Sequence, residues 1–358
     1  MTTASPARAA EPAGDAPIRT AILGYGVAGR FFHGAFLQAD PDYDVAIIAT
    51  GDPGRAEQAR AEHPGVRIIA DPAGVADHAE DLDLVIVCTP PGTHAELART
   101  ALQAGLDVVV DKPFTPTSAE GEALIAEAAR RGRCLSVYQN RRYDADFLTL
   151  QGLLTEGALG TVHTLESRFE WWKPDGARGW KGRAGADAGG GILFDLGTHL
   201  IDQAVQLLGP VTEVLADVRS VRGGPDDTAH LVLTHGSGAT SRLSMSSLSA
   251  LEGARFHVSG DRAAWRSAGK DPQEEMLRTG RRPGTAGFGQ ETEAERGELS
   301  SGTGTIRTPA GTGDYGRYYR ELAHALRSGG PPPVDPADAV AVLRVIEAAH
   351  ASRRTSIP

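Results

Sequence analysis

Six short apolar runs alternate with helical patterns between Ile18 and Tyr138, and this alternation constrains the fold more than any other feature of the chain. The runs are IRTAILG, VAIIAT, VRIIA, DLVIVCTP, LDVVVDKP and CLSVY. They are nearly continuous in Val, Ile and Leu, as expected of strands that are covered on both faces. Strands that alternate with helices pair in parallel through crossover helices. This part of the chain is therefore predicted to be a doubly wound α/β domain.

The second part of the chain has a different pattern. Residues 161–171 read TVHTLESRFEW, with the period-two alternation of a strand. Further strand-like segments follow without long helices between them, and HGSG at 235–238 predicts a hairpin turn. Residues 280–313 are rich in Gly, Thr, Arg and Glu and predict a surface excursion. We therefore predict an α+β domain with an open, mostly antiparallel sheet, followed by helices at the end of the chain.

The length of 358 residues suits two domains, at about 150 residues per domain. The predicted boundaries are 18–139 for the first domain and 140–358 for the second. Residues 1–17 are rich in Ala and Pro and have no apolar stretch typical of a signal peptide, so we expect a disordered tail. We expect a cytoplasmic protein.

Charge and cysteine content exclude several classes of protein. The net charge is −10 and the isoelectric point is about 5.6, which argues against binding to nucleic acid. No apolar run approaches the length of a membrane-spanning helix. The two cysteines, Cys88 and Cys134, lack the CxxC spacing of a zinc or redox site, so no metal is predicted.

A glycine-rich loop follows the first predicted strand. Gly24, Gly26 and Gly29 have the spacing GxGxxG and precede a predicted helix. In dinucleotide-binding folds the first glycine allows the tight turn, the second lets the pyrophosphate approach the backbone, and the third permits close helix packing. The position in the α/β pattern favours a cofactor loop; the alternative is a simple turn between a strand and a helix.

The end of the second strand bears on the choice between NAD and NADP. An acidic residue there binds the ribose hydroxyls of NAD and repels a 2′-phosphate. The residue after the strand is Thr50, which tolerates phosphate, and Arg55 lies one helical turn further on. NADP is therefore favoured over NAD. The alternative depends on Asp52, which takes the acidic role if the strand is longer, or otherwise caps the helix that begins at Pro53.

Two further strand ends carry polar residues. CTPPGTH places Thr89, Pro90 and His94 at the ligand crevice, near a nicotinamide; alternatively the prolines only end the strand and His94 is an exposed helix residue. The next strand ends at Asp111 and Lys112, followed by a proline that can take a cis bond. Partial desolvation there would lower the pKa of a lysine and let it share a substrate proton.

The segment GGGILFDLGTHLID, residues 189–202, is the main polar cluster of the second part. Asp195 and His199 are four residues apart and share one face of a helix. The three glycines let the backbone pass close to a ligand. A carboxylate and an imidazole at this spacing suit a proton relay, and the alternative is an ordinary acid and histidine pair on a helix.

GYGVAG, DKP and GGGILFDLGTHLID, in this order and separation, resemble the Gfo/Idh/MocA oxidoreductases, which include inositol dehydrogenases and glucose-fructose oxidoreductase. The resemblance covers about residues 18–356. DKP stands where the family usually has EKP, and the last segment matches a GGG stretch followed by DxGxHxxD. GRFFH, YQNRRYDADF and KDPQEEMLRTG resemble the NADP-preferring scyllo-inositol dehydrogenase-like branch.

The resemblance implies a first domain of the Rossmann type and a set of functional residues. The catalytic residues it implies are Lys112, Asp195 and His199. The predicted cofactor-binding residues are Gly24, Tyr25, Gly26, Val27, Ala28, Gly29, Thr50, Gly51, Asp52, Arg55, Thr89, Pro90, His94, Asp111, Lys112, Asn140 and Arg141. The predicted substrate-binding residues are Lys112, Arg141, Tyr143, Trp180, Asp195 and His199.

The resemblance also implies the reaction. A secondary alcohol of a cyclic polyol or sugar would lose a hydride to a nicotinamide, while its proton passes to His199 with help from Lys112. Asp195 would orient His199. Rival functions are an NAD-dependent glycoside hydrolase and a ligand-sensing regulator without catalysis; retention of the three residues speaks against the regulator. The open sheet is expected to support a homodimer or homotetramer.

Overall fold

The first sheet contains six parallel strands in the order β3-β2-β1-β4-β5-β6. The computed structural model describes residues 16–176, 179–267 and 269–352. The strands are β1 (Ile18–Leu23), β2 (Tyr43–Ala49), β3 (Arg67–Ile69), β4 (Leu84–Val87), β5 (Asp107–Asp111) and β6 (Leu135–Tyr138). The predicted doubly wound α/β region is confirmed. The order reverses between β1 and β4, so their carboxyl ends border the crevice where such sheets bind ligands.

Helical segments connect these strands. They are a π-helical segment (Ala28–Gly34) that continues into α1 (Ala35–Ala39), then α2 (Pro53–Glu62), a 3-10 segment (Pro72–Asp81), a 3-10 turn (Pro91–Thr93) with α3 (His94–Gln103), and α4 (Ser118–Arg131). Local sequence fixes their ends. Thr117 and Glu120 form a capping box at the start of α4, and Gly132 ends it in the left-handed region at φ 61°. Gly105, which follows α3, has φ 84°.

The second sheet has eight strands in the order β14-β13-β12-β11-β7-β10-β9-β8. Its strands are β7 (Val162–Glu170), β8 (Val211–Arg219), β9 (Thr228–His235), β10 (Thr240–Ser246), β11 (Phe256–Gly260), β12 (Ala264–Arg266), β13 (Glu298–Ser300) and β14 (Thr305–Arg307). Strands β7 and β10 pair in parallel, and the other neighbours are antiparallel. The predicted open, mostly antiparallel sheet is confirmed, as is the hairpin between β9 and β10.

Residues 280–313 are mostly exposed, as expected of a surface excursion, but they also include β13 and β14 at the edge of the second sheet. Each of these strands has three residues, which is too short to display a period-two pattern. Leu299 of β13 pairs with Trp265 of β12, which is 1% exposed. Strand β13 therefore pairs with a strand that carries a buried tryptophan, although the sequence of β13 alone does not predict a strand.

The helices that follow the first sheet are α5 (Ala145–Thr155), α6 (Thr198–Leu208), α7 (Gln273–Arg278), α8 (Tyr315–Ser328) and α9 (Pro336–Ala351). The last two return to the first sheet. Tyr318 donates a hydrogen bond to Ser136 of β6 at 3.0 Å, and the Ser136 hydroxyl donates to the carbonyl of Val334 at 3.0 Å. The Tyr319 hydroxyl lies 2.6 Å from Nδ1 of the fully buried His33. The C-terminal helices therefore complete the core around the first sheet.

Other sequence predictions concern features outside the two sheets. No helix in the described part of the chain is long and apolar enough to cross a membrane. Of the predicted tail, residues 1–15 lie outside the described residues. Both cysteines are free thiols, and burial together with the charge of Asp111 raises the pKa of Cys88 well above its usual value.

Candidate active site

A cleft of about 1810 Å³ runs between the carboxyl ends of the first sheet and the second sheet. It brings together the following predicted residues: Gly24, Gly26, Val27, Ala28, Arg55, Thr89, Pro90, Asp111, Lys112, Asn140, Arg141, Asp195 and His199. The predicted residues that are described but do not line the cleft are Tyr25, Gly29, Thr50, Gly51, Asp52, His94 and Tyr143. Trp180 lies in a 3-10 turn (Gly179–Gly182), and its side chain is outside the described part of the chain.

The three glycines of the loop have different steric reasons to be glycine. Gly24 has φ 99°, and a Cβ there would lie 2.9 Å from the carbonyl oxygen of Cys88. A Cβ on Gly29 would lie 2.0 Å from the carbonyl oxygen of Gly24. A Cβ on Gly26 would meet only the Arg55 guanidinium, at 3.9 Å. Gly24 and Gly29 thus let the loop pack tightly, whereas Gly26 leaves an open approach from the cleft to the backbone.

Strand β2 ends at Ala49, which corresponds to the shorter of the two strand lengths considered for the sequence. Thr50 comes directly after the strand, and Asp52 is the N-cap of α2, where its Oδ1 accepts a hydrogen bond from the Arg55 backbone N–H at 2.8 Å. The Asp52 carboxylate is thus engaged by the helix terminus. The Arg55 side chain lies beside Gly26, in the wall of the cleft.

His94 lies behind the cleft and connects two of its loops. It is 1% exposed, with Nδ1 3.0 Å from the Pro113 carbonyl oxygen and Nε2 2.8 Å from the Thr89 carbonyl oxygen. Burial lowers the pKa of His94 despite the nearby carboxylate of Asp111. The prediction of an exposed helix residue therefore does not describe His94, which positions the loops that follow β4 and β5.

Lys112 connects the two sheets across the cleft. Its Nζ donates a hydrogen bond to the Asp195 carbonyl oxygen at 2.7 Å and lies 3.1 Å from Asp195 Oδ1. The Lys112-Pro113 peptide is cis. Before Lys112, burial opposes ionisation of Asp111, but His33, Lys112 and His94 outweigh it and lower the pKa of that carboxyl. The end of β5 therefore presents an ammonium group between two carboxylates.

Asp195 and His199 lie on one continuous helical stretch. A π-helical segment (Leu193–Gly197) carries Asp195 and leads into α6, which carries His199 near its start. His199 is 4% exposed, and its ring packs edge-on against Phe169 of β7 at 6.3 Å. Lys112, Asp195 and His199 all line the cleft, so the structure gathers the predicted catalytic residues in one place.

The glycines before this helix have neighbours within the protein. A Cβ on Gly191 would lie 2.0 Å from Oδ1 of Asp226, and one on Gly190 would lie 1.9 Å from the Ala184 carbonyl oxygen. The Asp226 carboxylate accepts a hydrogen bond from the Leu193 backbone N–H at 2.8 Å. Gly191 thus leaves room for Asp226 to bind the start of the helical segment that carries Asp195. The three glycines were predicted only to let the backbone pass close to a ligand.

Phe169 lies between two buried guanidinium groups. The Arg255 guanidinium carbon is 4.0 Å from the centre of the Phe169 ring, and that of Arg141 is 4.6 Å from it. Burial lowers the pKa of Arg255 to about 10, although Asp146 and Asp144 act against this. The two guanidinium groups thus hold the Phe169 ring in place, and the His199 ring packs against that ring.

Glu274 of α7 approaches the same part of the cleft. Its carboxylate lies 3.1 Å from Arg141 and 2.8 Å from Arg278. Burial raises the pKa of Glu274, but Arg141, Arg278 and the charge of Lys112 outweigh it, so the net pKa is lowered. The Glu274 carboxylate is therefore ionised, and its charge interacts with that of Lys112.

Comparisons with known proteins identify the chain. The family model described as the oxidoreductase family with an NAD-binding Rossmann fold matches residues 18–139, and the GFO/IDH/MocA C-terminal domain matches residues 147–266. The chain is a member of the GFO/IDH/MocA oxidoreductase family. The resemblance noted in the sequence is therefore confirmed, and the protein is an NAD(P)-binding oxidoreductase of the dehydrogenase type.

Individual members of the GFO/IDH/MocA family match nearly the whole chain. The oxidoreductase YdgJ of Escherichia coli is 36% identical, over 92% of this chain and 94% of its own. The scyllo-inositol 2-dehydrogenase (NADP(+)) IolW of Bacillus subtilis is 34% identical, over 94% of both chains. The solved structure of the oxidoreductase yvaA of Bacillus subtilis has a TM-score of 0.87 and 34% identity, and covers 94% of this chain and 96% of that one.

The last aspartate of the family pattern DxGxHxxD forms an ion pair with an arginine and does not line the cleft. Asp202, the last aspartate of the pattern, receives hydrogen bonds from Arg142 at 2.6 and 2.8 Å. Arg142 also pairs with Asp338 of α9 at 2.9 Å. Asp202 therefore joins α6 to α9 and to the turn after β6.

Sequence reasoning missed several residues near the predicted catalytic set: Phe169, Asp226, Arg255 and Glu274. Two signals were available. Phe169 stands in a strongly alternating strand, and Glu274 stands in KDPQEEMLRTG, which was noted only for its resemblance to a family branch. The spacing of these residues in the chain gives no information about their convergence, because they come from one strand, two connecting segments and helix α7.

Substitution of Gly29 tests the packing of the dinucleotide loop. Gly29→Ala should lower the free energy of unfolding by about 3 kcal/mol, because the added methyl meets a backbone oxygen that cannot move aside. Urea denaturation measures this change, and quenching of protein fluorescence by NADPH measures binding. Gly152→Ala is the matched control: it lies exposed in α5 with open space at its Cβ, and it should raise stability slightly. Equal stability of the two variants would contradict the role of Gly29 in the tight packing of the loop.

Proposed function

We propose that the protein is an NADP-preferring dehydrogenase or reductase that acts on a secondary alcohol or ketone of a cyclic polyol or sugar. The observation that carries the proposal is the Lys112–Asp195 pair with His199 in the cleft that also exposes Gly26. A cationic donor, a carboxylate and an imidazole beside a dinucleotide loop suit proton transfer coupled to hydride transfer.

The residues at the mouth of the cleft fit a nicotinamide dinucleotide. The open backbone at Gly26 and the start of the following helix offer N–H groups to a pyrophosphate. When bound, the dinucleotide supplies the acceptor or donor of the hydride. The residues Gly24, Gly26, Val27, Thr89 and Asn140 line the space that it would occupy.

The protein groups in this proposal handle the proton. Lys112 Nζ, held by the Asp195 carbonyl and carboxylate, donates to the substrate oxygen and stabilises negative charge on it. His199 accepts the hydroxyl proton in oxidation and returns it in reduction. Phe169, supported by Arg141 and Arg255, limits the positions of the His199 ring.

Two observations support a polyol or sugar as substrate. The relative IolW is named a scyllo-inositol 2-dehydrogenase, and it matches this chain over nearly its full length. The second-sheet side of the cleft is lined by polar groups that can bind hydroxyls, among them Glu170, Lys173, Ser247 and Lys270.

Loss of either proton-handling group should abolish turnover. Lys112→Ala and His199→Ala should each lower kcat by about 10²- to 10⁴-fold, and His199→Ala should retain NADPH binding, because His199 acts on the proton and not on the dinucleotide. Absorbance of the reduced cofactor with a panel of inositols and aldoses measures this. Arg60→Ala, an exposed site on α2, is the control. Unchanged turnover in both cleft variants would refute the catalytic set.

An aryl glycoside, assayed beside the panel of inositols and aldoses, separates the rival functions. Release of the aryl group from an aryl glycoside without net cofactor reduction would replace the dehydrogenase with a hydrolase. Binding of a polyol with no turnover of any member of the panel, in either direction, would favour a ligand-sensing regulator.

The proposed preference for NADP rests on the end of β2. Thr50 carries no charge, and the Asp52 carboxylate is bound to the backbone of α2. The nearby cation in the cleft wall is Arg55. This arrangement engages Oδ1 of Asp52 in the helix cap and offers a guanidinium to a 2′-phosphate, which supports NADP.

Replacement of Arg55 tests the cofactor preference. Arg55→Ala should raise the Kd for NADPH about tenfold and leave the Kd for NADH nearly unchanged, because a charge-assisted bond to the 2′-phosphate is lost. Fluorescence titration measures both constants, with Arg60→Ala as the control on the same helix. An equal effect on both cofactors, or tighter binding of NADH by the unaltered protein, would contradict NADP preference.

We also propose that the exposed face of the second sheet joins copies of this chain into a homodimer or homotetramer. Leu215 and Val232 pair across β8 and β9 and are 67% and 38% exposed. Adjacent exposed apolar side chains on a sheet are typical of an interface. Leu215→Lys should shift the mass in light scattering toward a monomer, whereas Val221→Lys, in the loop after β8, should not. A monomeric unaltered protein would refute this.

A further inference from the structure

A segment from the second part of the chain crosses to the dinucleotide loop. This crossing segment, residues 273–290, consists of α7 and the loop after it. Helix α7 packs against the π-helical segment that follows the glycines. The Phe288 ring contacts the Phe36 ring of α1 at 6.1 Å. Six of its residues line the cleft together with Gly26: Glu274, Glu275, Met276, Arg278, Thr279 and Arg281.

Hydrogen bonds hold the crossing segment in place. At its start, the Gln273 side chain donates to the Tyr143 carbonyl at 3.3 Å and accepts from the Tyr315 backbone N–H at 2.8 Å. Further along, the Arg281 backbone N–H donates to the Met276 carbonyl at 2.8 Å. The Arg281 side chain donates to the Ala286 carbonyl at 2.8 Å. The position of Arg281 is thus fixed from both sides of the loop.

The arginines of the cleft differ in their partners. Several of them lie within 4.0 Å of a carboxylate, and these are Arg141, Arg168, Arg222 and Arg278. Arg255 donates to Ser167 and Gln203. Within the part of the chain that the structure describes, Arg55 and Arg281 line the cleft and form no ion pair with a carboxylate. These two cations remain uncompensated although the chain carries a net charge of −10.

The two cations line the same cleft as the dinucleotide loop. Arg55 comes from α2, and its guanidinium lies beside Gly26. Arg281 comes from the crossing segment, which packs on the helix that starts at this loop. Positive charge from two separate parts of the chain thus meets where a dinucleotide carries its phosphates.

We propose that Arg281 is a phosphate-binding residue of the cofactor site, which acts together with Arg55 to bind a phosphate group of the dinucleotide. The inference rests on the proposed dinucleotide-dependent function. It adds to the cofactor site a cation from the crossing segment, more than 130 residues beyond the Rossmann region that the family model covers at 18–139.

Binding of NADPH and NADH to Arg281→Ala tests the inference. Titrations of protein fluorescence should give a Kd for NADPH raised about tenfold or more, with partial recovery in Arg281→Lys. The unaltered protein should lose affinity as NaCl is raised, and the variant should lose less, because one ionic contact is already absent. Arg282→Ala is the matched control, since Arg282 does not line the cleft. Its Kd should stay within about twofold of the unaltered value.

The outcomes separate the inference from the proposed function. A loss confined to NADPH assigns the contact to the 2′-phosphate, and an equal loss for both cofactors assigns it to the pyrophosphate; both support the inference. Unchanged affinity in Arg281→Ala, or an equal loss in Arg282→Ala, overturns it while the function stands. No binding of either cofactor to the unaltered protein overturns the function itself.

Discussion

The bond between Lys112 and Asp195 is the interaction on which the site depends. Lys112 directly follows the fifth strand of the first sheet, and Asp195 precedes the helix that carries His199. Their contact at 2.7 and 3.1 Å joins residues that are 83 positions apart in the sequence, and both residues line the cleft. His94 contacts the carbonyl oxygen of Pro113, directly after Lys112, and Asp226 accepts a hydrogen bond from Leu193, two residues before Asp195, so both partners are held in position by neighbouring contacts.

Sequence could predict the parts of the site that depend on local rules. The parallel strands follow from apolar runs, the glycine loop from its place after β1, and the shared face of Asp195 and His199 from helical spacing. The position of Lys112 at the carboxyl end of β5 followed in the same way. The capping role of Asp52 was one of two alternatives, and the observed end of β2 decided between them.

Other parts could not be predicted, because they arise when distant elements pack together. The partner of Lys112 depends on how the second sheet meets the first. The stack of Arg255, Phe169 and Arg141 joins β7, the segment before β11 and the turn after β6. Similarly, α7 has six residues and little pattern of its own. Its place is set by the buried side chain of Gln273, so tertiary contacts outweigh local sequence there.

The return of α8 and α9 to the first sheet has a consequence for synthesis of the chain. A nascent chain emerges from the ribosome N-terminus first, and domains generally fold as they emerge. Here the buried His33 and Ser136 receive their tyrosine partners from α8. The first sheet therefore cannot complete its core until the last helices have been made, and until then it exposes surface for chaperones to cover.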